Sequence, residues 1–236
     1  MRKTLMLMLA VTLIGGCDAL SPEARFDREI AADPQSSAVM AAMAEGFPEE
    51  HRALRAELIG HVEAGAEEGV IRQTTAARMS ALIAANRRHL AAAPDRQLLR
   101  MLATQRAAAE TLKTADVGQC ATFVMGGTAQ PADTASAVRA AMADSTVAVL
   151  RGAAAGKATP AQRRAGPVSQ RDIDAFAAAL RAQGADAAMV DAAIGNGFGL
   201  MPPARQCDGG IMMMRALEAM PRESAIKLFA LIIGNG

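Results

Sequence analysis

Apolar residues in this chain recur every three or four positions, and that spacing constrains the fold more than any other feature. Leu54, Leu58, Ile59 and Val62 follow it. So do Met79, Leu82, Ile83 and Leu90, and then Leu98, Met101, Leu102 and Ala109. Side chains with this period fall on one side of an α-helix, whereas a half-buried strand needs strict alternation. No convincing run of alternation occurs. Composition agrees: alanine is abundant, Val, Ile and Thr are sparse, and the aromatic set is six Phe with no Tyr or Trp. Helices favour what is present and strands favour what is missing. The expected fold is all-α, a multi-helix, bundle-like domain.

Local punctuation divides the chain. Ser21-Pro22-Glu23 and Phe47-Pro48-Glu49-Glu50 read as helix starts, with proline in the first turn and acids where the helix dipole favours them. Gly65 to Gly69 closes the second of these helices, and Thr74 or Thr75 is expected to cap the next. Ala93-Pro94-Asp95 breaks that one and opens a third, which Asp116-Val117-Gly118 ends. Three helices in tandem from about 48 to 116 suggest an up-and-down arrangement. Pro131 to Leu150 reads as one long helix. Thr159-Pro160-Ala161-Gln162 and Ser169-Gln170-Arg171-Asp172 both look like capping boxes, with an exposed loop expected over 163–167. The last elements expected are Asp186 to Ile194, Cys207 to Met220 and Pro221 to Ile233. Ile194-Gly195-Asn196-Gly197 recurs as Ile233-Gly234-Asn235-Gly236, which is too short to mark a repeat; glycine after a helix is an ordinary C-terminal cap.

The N-terminus has a different organisation. Met1-Arg2-Lys3 is basic, Thr4 to Ile14 is almost wholly apolar, and Gly15-Gly16-Cys17 follows. A basic head, a short apolar stretch and small residues describe a secretory signal peptide. The stretch is shorter than the roughly 20 residues a bilayer span needs. Ile14-Gly15-Gly16-Cys17 resembles the lipobox of bacterial lipoproteins. The resemblance covers only the first residues of the chain. It implies cleavage before Cys17, a diacylglyceryl thioether on its sulfur and acylation of the new amine. One acyl chain binds a membrane only reversibly, while two or three hold stably. Asp18 resembles the signal for retention in the inner membrane. The expected organisation is a signal peptide over 1–16, a lipidated N-terminus and tether over 17–33, and one α-helical domain over 34–236.

Loss of Arg2 and Lys3 with the signal peptide leaves 23 Lys+Arg against 24 Asp+Glu. That balance argues against a nucleic-acid partner, which calls for a basic patch. Three cysteines are present. Lipidation of Cys17 leaves Cys120 and Cys207, which in an oxidising compartment are expected to form a structural disulfide. The alternative is a redox pair, although such pairs usually stand close together as C-x-x-C.

Candidate chemistry is thin. Glu57 and His61 stand four apart on one helix face and could share a metal, but a zinc site needs further ligands; an exposed pair on a solvated face is the plainer reading. A peptidoglycan-cleaving enzyme would need a carboxylic acid and usually a second carboxylate. Glu45, Glu49, Glu50, Glu110, Glu218 and Glu223 are formal candidates, and Glu223-Ser224 superficially resembles the catalytic dipeptide of lytic transglycosylases without its surrounding motifs. Each carboxylate reads more simply as a helix-end or surface charge. The C-terminal segment is unusual. Ile211-Met212-Met213-Met214, Leu217 and Met220 precede a nearly all-apolar run through Ile226, Leu228, Phe229, Leu231, Ile232 and Ile233. Such a helix is either central to the core or an adaptable docking face.

These observations converge on a non-enzymatic lipoprotein, anchored by acylated Cys17, facing the periplasm and acting through an envelope protein partner. No cofactor, metal or nucleic acid is expected. The alternatives are an envelope hydrolase and a carrier of an apolar small molecule.

Overall fold

A computed structural model describes residues 21–127, 135–161, 168–195 and 197–235. Among them the structure is all-α, with no strand. The helices are α1 (Pro22–Ala32), α2 (Pro34–Gly46), α3 (Pro48–Glu63), α4 (Glu68–Ala85), α5 (Arg87–Ala91), α6 (Asp95–Ala115) and α7 (Val117–Val124). They continue with α8 (Ser136–Ala158), α9 (Gln170–Ala182), α10 (Ala187–Ile194), a 3-10 turn at Phe198–Leu200, α11 (Pro203–Ala219) and α12 (Arg222–Asn235).

The ends of these helices follow from local chemistry. Ser21 Oγ accepts from the Ala24 N–H at 3.3 Å, and Asp33 Oδ2 accepts from the Ser36 N–H at 3.3 Å. Asp116 Oδ1 accepts from Gln119 N–H at 3.0 Å and so splits α6 from α7. Each contact satisfies a helix N–H that has no partner within the helix. Ser169 and Asp172 form the expected reciprocal capping box. Gly65 and Gly184 turn the chain after α3 and α9 with φ of 68° and 90°, a region open to glycine at little cost.

Several boundaries differ from the sequence expectation. Helix α4 begins at Glu68, so Thr74 and Thr75 lie inside it; the Thr75 hydroxyl instead donates to the Ile71 carbonyl at 2.8 Å. The same stretch breaks at Asn86, whose side-chain amide donates to the Leu82 carbonyl at 2.8 Å. That contact competes with the helical ladder and separates α4 from α5. Thr159 ends a helix rather than starting one. It follows α8, and its hydroxyl donates back to Ala155 O at 3.1 Å. Helix α8 therefore runs eight residues beyond Leu150. The loop expected over 163–167 lies outside the described residues, as does the start of the long helix expected from Pro131. Helix α11 opens at Pro203, one turn before Cys207.

Helices α3 and α4 form an antiparallel pair, with Glu57 against Arg78 and His61 against Thr74. The third tandem helix does not extend that row. Helix α6 packs instead on α8, α7, α11 and α12. Small side chains explain the choice. Gly152 of α8 lies against Met101, and Gly156 lies against the backbone of His89 and Ala93. Gly46 of α2 meets Ala154 on another side of α8. Helix α8 is thus the axis on which α2, α5 and α6 gather.

One large apolar cluster joins α1 through α6, α8, α9, α10, α11 and α12; a smaller one surrounds Cys120 and Cys207 with Ala109, Leu112, Val138 and Ile211. The packed domain starts earlier than residue 34. Phe26 is buried in the large cluster, and Asp27 accepts two hydrogen bonds from Arg55 at 3.0 and 2.7 Å. Helix α1 is therefore part of the domain. Helix α12 is not buried all round: Ala225, Ile226, Leu228, Phe229 and Ala230 are buried, while Leu231 and Ile232 face solvent.

Candidate functional site

Cys120 and Cys207 are bonded, linking α7 to α11 across 87 positions of sequence. Both are wholly buried. Cys120 sits in the first turn and a half of α7, after the Asp116 cap. Cys207 sits in the second turn of α11 and is followed by Gly209 and Gly210. A Cβ on Gly210 would stand 2.5 Å from Val124 Cβ, and one on Gly209 would stand 2.5 Å from Met189 Sδ. The two glycines let α11 approach α7 and α10 closely enough for the bridge to close. Cys17 lies outside the described residues.

A charged network continues along α6 and α11. Arg106 donates to Glu110 at 2.8 Å and to Glu218 at 2.7 Å, and Arg215 donates to Glu110 at 2.8 Å. Burial pushes the Glu110 carboxyl up, but hydrogen bonds from Arg215 and Arg106 outweigh it and hold it below the usual carboxylate range. A proton donor in glycoside hydrolysis needs the opposite shift. Glu110 and Glu218 share Arg106, so these two of the six candidate carboxylates are brought together. Glu45 faces Arg151 at 3.9 Å, Glu223 pairs with Lys227 at 3.3 Å, and Glu49 and Glu50 are exposed in the first turn of α3. Arg106, Glu110, Glu218 and Arg215 act as an ion-pair network between two helices.

Glu57 and His61 each face α4 with a separate partner. Glu57 accepts from Arg78 Nε at 2.7 Å, and His61 Nε2 lies 3.3 Å from Thr74 Oγ1. Among the described residues, no three His, Cys, Asp or Glu side chains come together as a metal site. An open depression of about 320 Å³ lies beside this pair, lined by Glu57, Gln73, Thr74 and Arg78. A wider groove of about 550 Å³ runs along α8, lined by Ala42, Gly46, Gln97, Arg151 and Lys157.

Ser224 occupies a position that its sequence context does not reveal. Its hydroxyl donates to Asp172 Oδ1 at 2.5 Å. Asp172 Oδ2 accepts from the Ser169 N–H and hydroxyl at 2.9 and 2.7 Å. Asp172 is only 6% exposed. Hydrogen bonds from Ser224, then from the Ser169 backbone and hydroxyl, hold its carboxyl well below the usual range. The capping box of α9 thereby also fastens α12. The Glu223-Ser224 dipeptide is split: Ser224 points to Asp172, and Glu223 is 70% exposed beside Lys227.

The surface also carries an apolar feature that helical periodicity missed, because it sits outside the helices. Leu200, in the 3-10 turn after α10, is 89% exposed, and Met125 after α7 is 45% exposed. Met125 Cε lies 3.5 Å from where a Gly199 Cβ would be, so the two segments adjoin. Gln206 Nε2 holds the turn by donating to Gly199 O at 2.9 Å. The only available signal was an isolated Phe-Gly-Leu-Met between Gly197 and Pro202. No known protein family matches the chain, and no curated protein or solved structure is significantly similar to it.

Proposed function

We propose that this chain is a lipid-anchored, periplasm-facing lipoprotein that acts through protein contacts rather than catalysis, with an envelope protein as partner. The observation that carries the proposal is the junction Ile14-Gly15-Gly16-Cys17 behind a short apolar run. Acylation of Cys17 supplies enough apolar chain for stable anchoring. The bond between Cys120 and Cys207 supports an oxidising compartment, where such bridges persist. Asp18 favours the inner membrane by resemblance. The contact role draws on exposed Leu200, in the turn that adjoins Met125, and on exposed Leu231 and Ile232 of α12.

The test is Cys17→Ser in the native host. Loss of acyl labelling and release from membranes is the expected result; labelling that persists in the variant overturns the anchor. For the contact role, the lipidated protein is crosslinked in its own membranes beside Leu200→Glu. A specific crosslinked partner that disappears in Leu200→Glu supports the role, and an unchanged set of crosslinks removes this surface from it.

A further inference from the structure

We propose that the docking of α1 sets the reach of the domain and holds the start of α1 close to the lipid headgroup layer. This inference rests on the lipid-anchor reading of Cys17. The structural observation is where the packed domain begins. Ser21 caps α1 through the Ala24 N–H, and α1 is fixed to the domain five residues later. Phe26 is 8% exposed, Arg55 lies 5.9 Å over its ring, and Asp27 takes two hydrogen bonds from the same guanidinium.

From Cys17 to Ser21 the chain makes four peptide steps, at most about 14 Å when fully extended. A free segment to residue 33 would make sixteen steps, reaching about 58 Å at full extension and averaging about 20 to 25 Å as a flexible coil. A folded domain of this size has a radius of gyration of about 17 Å. The short tether keeps the start of α1 within about 14 Å of the anchor, whereas the long one would let the whole domain stand off by more than its own radius.

The face brought down by this tether is the one carrying the start of α1. Its exposed side chains include Arg25 and Arg28 beside Glu23 and Glu29. Both signs are present, so charge alone does not hold this face to an anionic layer. The acyl chains hold it, and the mixed charge fits a hydrated headgroup surface at close range.

The experiment uses the full-length lipidated protein on a supported bilayer of phosphatidylethanolamine and phosphatidylglycerol. Neutron reflectometry reads the water layer between headgroups and protein. The comparison is a variant with about 15 Gly/Ser residues inserted between Ala19 and Leu20, an insertion that leaves α1 and its contacts intact. The wild-type gap is expected to stay within about 14 Å, and the insertion, whose nineteen steps average about 22 to 26 Å as a coil, should widen it by about 10 Å. A wild-type gap as wide as that of the insertion variant overturns the proposal. Mass spectrometry of the Cys17 peptide separates the two readings. An unmodified cysteine removes the anchor and this inference with it, while an acylated cysteine under a wide gap removes only the short tether.

Discussion

Gly156→Ala should destabilise the domain, although alanine is the better helix former. The two effects oppose each other, and the geometry decides between them. A Cβ at Gly156 would stand 1.9 Å from His89 O, 2.9 Å from His89 C and 3.0 Å from Ala93 N. Ordinary contact begins at 3.4 Å, so α5 would have to retreat by about 1.5 Å. It is poorly placed to do so. Leu90 is 3% exposed, Ala93 is wholly buried, and the Ala161 N–H donates to Ala92 O at 2.8 Å. Overpacking costs about 1–3 kcal/mol, and a backbone obstacle belongs at the upper end. Removing a helical glycine returns about 1 kcal/mol. The net loss is about 2 kcal/mol, or a fall of roughly 4–8 °C in Tm for a domain of this length. Two companion variants calibrate the result. Gly60→Ala in α3 meets nothing within 4 Å and should gain about 0.5–1 kcal/mol. Gly152→Ala meets Met101 Sδ at 2.6 Å, but a methionine side chain can swing away, so it should fall between the other two. Thermal and urea unfolding followed by circular dichroism give the order Gly60→Ala, wild type, Gly152→Ala, Gly156→Ala. A Gly156→Ala protein as stable as the wild type would refute the close approach of α8 and α5.

Three further outcomes are expected. Replacing Cys120 and Cys207 together by alanine should cost roughly 4–5 kcal/mol on the chain-entropy account for a bridge spanning 87 positions, seen as a lower urea midpoint; an unchanged midpoint would mean that the bridge constrains little. Asp172 has a folded-state pKa below its unfolded value of about 3.9. Its contribution is therefore fully present above pH ~4 and lost as pH falls toward the folded value. Asp172→Asn should lower Tm at neutral pH, with the difference from wild type shrinking in acid; a difference constant down to low pH contradicts the latch between α9 and α12. On the proposed anchor, Cys17→Ser should leave the Tm of the helical domain unchanged while abolishing membrane retention, which thermal unfolding and fractionation read separately.

Legibility differs sharply between local and distant features. The Ser169–Asp172 box, the Ser21 cap and the break at Asp116 were readable because each depends on a side chain and an N–H three residues away. The disulfide was an expectation that rested on setting Cys17 aside by its lipobox resemblance, which spacing alone does not supply. The Asn86 break was missed, since asparagine ends a helix only when its amide finds a carbonyl in place of water. Thr159 carried a start pattern and marks an end, because the same hydroxyl can bond forward to an N–H or back to a carbonyl. The Glu110–Arg106–Glu218 network and the Ser224–Asp172 contact join residues 52 to 112 positions apart, and no spacing rule reaches that far. Leu200 was overlooked because periodicity describes helices and Leu200 lies between them.

Local composition and period determined by themselves that this chain is helical and where six of the twelve described α-helices begin. These properties arise from hydrogen bonds within one turn and from conformational preferences of single residues. Tertiary structure decided which helices touch. Glycines 152 and 156 admit α6 and α5 against α8, Phe26 brings α1 into the core, and α12 keeps Leu231 and Ile232 in solvent. The physical reason is that packing depends on shape shared between distant segments. An apolar stripe records that a face must be covered, but the partner is chosen only when the complementary surface arrives.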